Sequence, residues 1–112
     1  MEIVMSDTDE QQHITIDHAG RAVATADLES SADTDTISAS MHVESGHLPT
    51  GTRTQLVDAV VDRASALHAE RLQASLPAGD GEMLDRLRER CPNVDARPAG
   101  ASCLADAQLR QE

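Results

Sequence analysis

Apolar residues recur at two different spacings along the chain, and each change of spacing marks an element. Residues 13–18 alternate, with Ile14 and Ile16 on one side and Thr15 and Asp17 on the other, the period of a half-buried strand. Ala19-Gly20 follows as a two-residue turn, since glycine supplies the positive φ that hairpin turns need. A second strand continues over 21–28, and the acidic, serine-containing segment 29–35 has nothing to bury and reads as a loop. The most regular alternation covers 36–44. Ile37, Ala39, Met41 and Val43 face one way, and Ser38, Ser40, His42 and Glu44 the other. A slip of one residue would turn that whole set over, so the register is well specified.

The spacing then lengthens to that of a helix. Leu56, Val57, Val60, Val61, Ala64 and Leu67 form one apolar stripe. Thr52 and Gln55 stand at the separation of a capping box, which predicts the helix start. Leu72, Ala74 and Leu76 alternate with Arg71, Gln73 and Ser75, giving a strand ended by Pro77. Asp80 can cap a second helix whose apolar side is Met83, Leu84, Leu87 and Cys91, with Glu82 and Arg86 as an i, i+4 pair. Pro92 ends it, because the residue before a proline is pushed out of the α region. Segments 94–97 and 101–105 read as two closing strands. The predicted order is β-β-β-α-β-α-β-β. This is an α/β (α+β) domain of two layers, a mostly antiparallel sheet of five to six strands with two helices on one face. The domain is expected over 13–106, with a disordered acidic tail over 1–12 and a short tail over 107–112.

Composition changes this picture in two ways. The chain of 112 residues contains no Phe, Tyr or Trp, so the core is aliphatic and thin, and stability is expected to gain from a partner subunit. Tyrosine acids, aromatic cages and base-stacking platforms are excluded as well. Twenty Asp and Glu stand against nine arginines and no lysine, for a formal net charge of −11. Nucleic acid and anionic membrane surfaces are therefore poor partners, and lysine Schiff-base chemistry is excluded. No apolar run approaches the roughly 20 residues of a membrane span. Residues 1–12 lack the cationic start and apolar stretch of a leader, so a soluble cytoplasmic protein is expected. Met5 could serve as an alternative start.

The loop before the first helix, Ser45-Gly46-His47-Leu48-Pro49-Thr50-Gly51-Thr52-Arg53, carries the strongest hint of chemistry. A strand running into a helix N-terminus presents free N–H groups and the positive end of the helix dipole. Gly51, Thr52 and Arg53 could bind a phosphate or carboxylate there through N–H, hydroxyl and guanidinium donors. An ordinary helix cap with a surface arginine is the competing reading. This loop and the element order resemble the GNAT superfamily of acyl-CoA-dependent N-acetyltransferases. In that family a Gln/Arg-x-x-Gly-x-Gly/Ala loop holds the cofactor pyrophosphate at a helix N-terminus. Gly51 matches that pattern, while Leu48 and Arg53 stand at its first and last positions. The family also carries two helices between its first two strands, where this chain has only a tight turn, and many members use a tyrosine acid.

Other constellations point to no reaction. His13, His18, His42 and His47 are spread over strands and a loop, without the compact spacing of a zinc site, so no metal is expected. Cys91 and Cys103 lie on apolar faces and read as small buried hydrophobes rather than a disulfide or nucleophiles. There is no Gly-x-Ser-x-Gly elbow, and no catalytic residue is assigned. The polar sheet face, with Asp17 and Glu44, could be a homodimer or protein-partner surface. The leading expectation is a small non-catalytic module acting by protein association or self-association. The alternative is a reduced GNAT-like acyl-CoA-binding protein or N-acetyltransferase using loop 46–53, with acetyl-CoA as cofactor. A third is a regulator resembling anti-sigma antagonists, a class that needs several long helices where this chain has one.

Overall fold

The computed structural model of the chain describes residues 2–7, 11–18, 20–30, 36–44, 51–67, 69–77, 81–91 and 93–109. Its elements are β1 (Glu2–Asp7), β2 (Gln11–His18), β3 (Arg21–Ser30), β4 (Thr36–Val43), α1 (Thr52–Ala66), β5 (Arg71–Pro77), α2 (Gly81–Arg90), β6 (Val94–Ala99) and β7 (Ser102–Gln108). The strands form one sheet in the order β1-β2-β3-β4-β5-β7-β6. Every neighbouring pair is antiparallel except β4 and β5, which are parallel and joined by the crossover through α1.

The expected two-layer architecture is present, with two differences at the ends. Glu2–Asp7, in the segment read as a disordered tail, pairs antiparallel with β2 and makes a seventh strand. At the other end the domain runs past 106, because β7 continues to Gln108 and Leu109 is buried with its N–H donating to the Glu70 carbonyl. Neither end carries a long alternating run, whereas both complete ladders whose donors and acceptors need partners.

Both helices lie on the apolar side of the sheet. Ile14 and Ile16, Ala26 and Leu28, Ile37, Ala39 and Met41, Leu72, Ala74 and Leu76, and Ala105 and Ala107 face them and are buried. Leu56, Val57, Val60, Val61 and Ala64 of α1, with Met83 and Leu87 of α2, close the core. Leu67, expected in the stripe, is exposed because α1 ends at Ala66 and Leu67 is its C-cap. The β2–β3 register shifts between Ile16 and Asp17. The bulge inserts Val23 as an extra residue, so Val23 and Ala24 are both buried, and the Val23 carbonyl accepts from the Glu44 N–H at 2.9 Å.

The helix start differs from the expected capping box. Gly51 is the N-cap, left-handed at φ 88°, and among the described residues no side-chain hydrogen bond caps the helix. Thr52 is already helical and is 1% exposed, and the Gln55 Oε1 is buried without a hydrogen-bond partner. Gly51 makes the chain turn that a threonine cap would otherwise make. Asp80 and Pro92, expected to bound α2, lie outside the described residues.

Candidate functional site

Two features of the sheet meet at Ser40 of β4. The first is a parting of strands. Pairing of β4 with β5 runs from Thr36–Arg71 to Ser40–Ser75 and stops, although β4 continues to Val43 and β5 to Pro77. Beyond Ser40 the two parallel strands therefore diverge, each held by its antiparallel neighbour: Met41 to Val43 by β3, and Leu76 and Pro77 by β7. Ligands of open α/β sheets bind outside the carboxyl ends of the parallel strands, where the topology switches. The chain beyond β4 leads into α1 through residues 45–50, which lie outside the described residues. His47, Leu48 and most of the expected anion loop fall there. Of the predicted site residues, Gly51 is at the N-cap, Thr52 is buried in the first turn, and Arg53 is half-buried next to it. The first turn contains no acidic residue, in a chain that is strongly acidic elsewhere.

The second feature is a cleft of about 680 Å³ over the polar face of the sheet. Two cross-strand rows line it. One reads Glu29–Ser38–Gln73–Asp106–Asp95 from β3 to β6, and the other His13–Asp27–Ser40–Ser75–Leu104–Arg97 from β2 to β6. His13 Nδ1 lies 2.5 Å from Asp27 Oδ1, both side chains being exposed. His42, exposed, stands on this face two residues past Ser40. Sequence reading picked out Ser38, Ser40, His42, Gln73 and Ser75 as one face but missed Asp95, Arg97 and Asp106. Those three join the face only through the β5–β7 and β6–β7 registers, which a short strand sequence does not specify.

The charged network on the opposite side is of another kind. Asp58 of α1 receives Arg86 Nε at 2.9 Å and Nη2 at 3.0 Å, and Arg90 Nη1 at 2.7 Å. Arg90 also bonds Asp62, and Arg86 bonds Glu89 rather than the Glu82 expected from spacing. The hydrogen bonds from Arg86 hold Asp58 below the usual carboxylate range, burial opposes them, and Arg90 adds to the lowering. The same bonds raise Arg86, chiefly through Asp58, and Arg90, chiefly through Asp62. These pairs clamp α1 to α2. A further bond, from Arg63 Nε to Gln12 Oε1, ties α1 to β2. Cys91 is buried and Cys103 half-buried, and no disulfide joins them. Among the described residues no group of His, Cys, Asp and Glu is placed to hold a metal ion, and no helix is long and apolar enough to cross a membrane.

No protein-family model matches the sequence, and no curated protein is similar to it in sequence. The fold is similar to solved structures. The GNAT domain of S. lividans PAT matches with a TM-score of 0.66 at 13% identity, over 93% of this chain and 65% of that one. The GNAT-family acetyltransferase from Streptococcus pneumoniae gives 0.67 at 11% identity, over 92% and 69%. The yncA protein of Salmonella typhimurium, solved with its cofactor acetyl-CoA, gives 0.63 at 13%, over 89% and 64%. The chain thus spans about two thirds of the length of these structures. These neighbours correct the leading expectation of a non-catalytic association module, since the structures that share its architecture are acetyltransferases. At such identities the likeness is one of fold. The β-β-β-β-α-β-α-β-β chain, with its single parallel pair and its helices on one face, has the GNAT-type N-acetyltransferase fold.

Proposed function

We propose that this chain binds an acyl-CoA thioester where β4 and β5 part and transfers its acyl group to an amine. The observation that carries this reading is the end of β4–β5 pairing at Ser40–Ser75 while both strands continue. The divergence leaves the β5-facing backbone edge of 41–43 without a strand partner among the described residues, and an extended, amide-containing arm can pair with such an edge as an added strand does. The glycine N-cap of α1, followed by a first turn that carries Arg53 and no acidic residue, suits the pyrophosphate. Gly51 fits a close approach there, since a Cβ at this position would meet nothing within 4 Å. A bound thioester would supply an activated acyl carbon: the amine nitrogen forms the C–N bond, the C–S bond breaks, and the thiol leaves with the proton lost by the amine. His42, on the polar face beyond Ser40, is the side chain placed to take that proton first. Two cysteines not joined in a disulfide fit a reducing compartment such as the cytoplasm.

Acetyl-CoA tests this directly. A ligand bound only to the native state at about 100 times its Kd adds about 2.7 kcal/mol of stability, so the melting temperature should rise clearly with millimolar acetyl-CoA. An unmoved melting temperature would overturn the proposal. Arg53→Ala should weaken acetyl-CoA binding roughly tenfold, the loss of one charge-assisted contact. His42→Gln should retain binding and lose transfer.

A further inference from the structure

We infer that the outer edge of β6 is a self-complementary surface, which pairs antiparallel with β6 of a second copy of this chain about Ala96. This holds whether or not the chain transfers an acyl group. Within the sheet β6 has one strand neighbour, β7, so its outer backbone edge is open among the described residues. The ladder fixes which groups lie on that edge. The Gln108 N–H donates to the Asn93 carbonyl at 3.0 Å, and hydrogen-bonded pairs alternate along an antiparallel ladder. The backbone of Asp95 and Arg97 therefore bonds to β7, while the N–H and C=O of Val94 and Ala96 and the C=O of Pro98 point outward. The proline stands where its missing donor takes nothing from the sheet.

About Ala96 the sequence of β6 is its own complement. With the two Ala96 residues opposite each other, Asp95 of each copy faces Arg97 of the other, and Val94 faces Pro98. The charged positions are non-hydrogen-bonded ones, where facing side chains come closest, and opposite charges there stabilise a sheet. Three features of the single chain favour this pairing. Asp95 and Arg97 are exposed, and among the described residues no ion pair reaches either. Asp95 also stands directly opposite Asp106 of β7, a like-charge pair that an arginine arriving on its open side offsets. Val94 and Ala96 pack against the core yet stay partly exposed, and a second strand would cover them. The other edge strand, β1, carries Glu2 and Asp7 and no cation, so it offers itself no such match. The two-fold axis is perpendicular to the sheet, which places the helices of both copies on one side and both polar faces on the other. Pro98 bounds the shared ladder at each end, and the net charge of −11 on each chain opposes association, so the dimer is weak and reversible.

Sedimentation equilibrium of the full chain over a concentration series tests the assignment, and a monomer–dimer equilibrium is expected. Asp95→Arg and Arg97→Asp should each raise the dimer Kd at least roughly tenfold, because each sets like charges against one another across the axis. Mixing the two variants should restore association as a heterodimer, since every Asp95→Arg protomer then presents two cations to two anions. A purely structural role for either side chain would produce no such rescue. Ala96→Pro removes an outward donor that β7 does not use, so it should abolish the dimer while leaving the monomer folded by circular dichroism. A chain that stays monomeric at every concentration would overturn the inference. So would a mixture that associates no better than its two components. A dimer indifferent to all three substitutions would overturn it as well, and would move the interface to another surface.

Discussion

Gly51 concentrates much of the local logic of the site in one backbone angle. Its φ of 88° is a conformation that L residues adopt at a cost of about 1–2 kcal/mol, and its surroundings are open. Substitution there therefore tests the angle alone, without steric crowding. Gly51→Ala should lower stability by about 1 kcal/mol or slightly more. Gly51→Asn should cost less, since asparagine tolerates the left-handed region. Urea unfolding followed by far-ultraviolet circular dichroism measures both, and equal midpoints for glycine, alanine and asparagine would refute the account. The Thr52–Gln55 spacing suggested a cap because sequence shows separation only. The left-handed glycine one residue earlier moved the start of the helix and drew Thr52 into the interior.

Among the elements, the contact between α1 and α2 has an electrostatic signature that pH should reveal. Asp58 accepts from two arginines of α2, one of them through both of its carboxylate oxygens, the geometry in which such pairs are strongest. Its side chain is partly exposed, so Asp58→Asn should cost only about 1 kcal/mol at neutral pH. The sign with pH follows from the lowered pKa. The folded chain keeps Asp58 charged below the unfolded value of 3.8, so this stabilisation is complete above that value. It disappears as pH falls through 3.8 and then through the lower folded pKa. Stability of the wild type minus that of Asp58→Asn, measured from pH 7 to pH 2, should shrink only in that acid window. A difference that persisted at pH 2 would mean that Asp58 acts by packing instead. The i, i+4 rule had assigned Arg86 to Glu82, but a partner on a neighbouring helix outcompeted the local one, as bidentate geometry allows.

For the molecule as a whole, alternation made β2 to β7 and both helices legible, because each presents one apolar face to a single core. The strand β1 was not legible. It lies in an acidic segment, and its place in the sheet depends on pairing with β2 rather than on its own pattern. The cleft was legible in part. Ser38, Ser40, Gln73 and Ser75 announce a polar face, whereas Asp95 and Asp106 become neighbours only when β6 and β7 take their register. The lone parallel pair also divides the molecule in time. The strands β1 to β4 are joined in order by short connections, and β6 to β7 likewise, so each group forms through local contacts. Pairing β4 with β5 instead requires the whole α1 crossover to be in place, and such non-local pairings slow folding. The four-stranded meander should therefore gain amide protection first in pulsed hydrogen exchange, with the β4–β5 ladder at 36–40 and 71–75 protected last. Simultaneous protection across all strands would contradict this order. The parting of β4 and β5 sits at that late seam, so a ligand spanning it would act as a kinetic clasp, slowing unfolding more than it speeds folding.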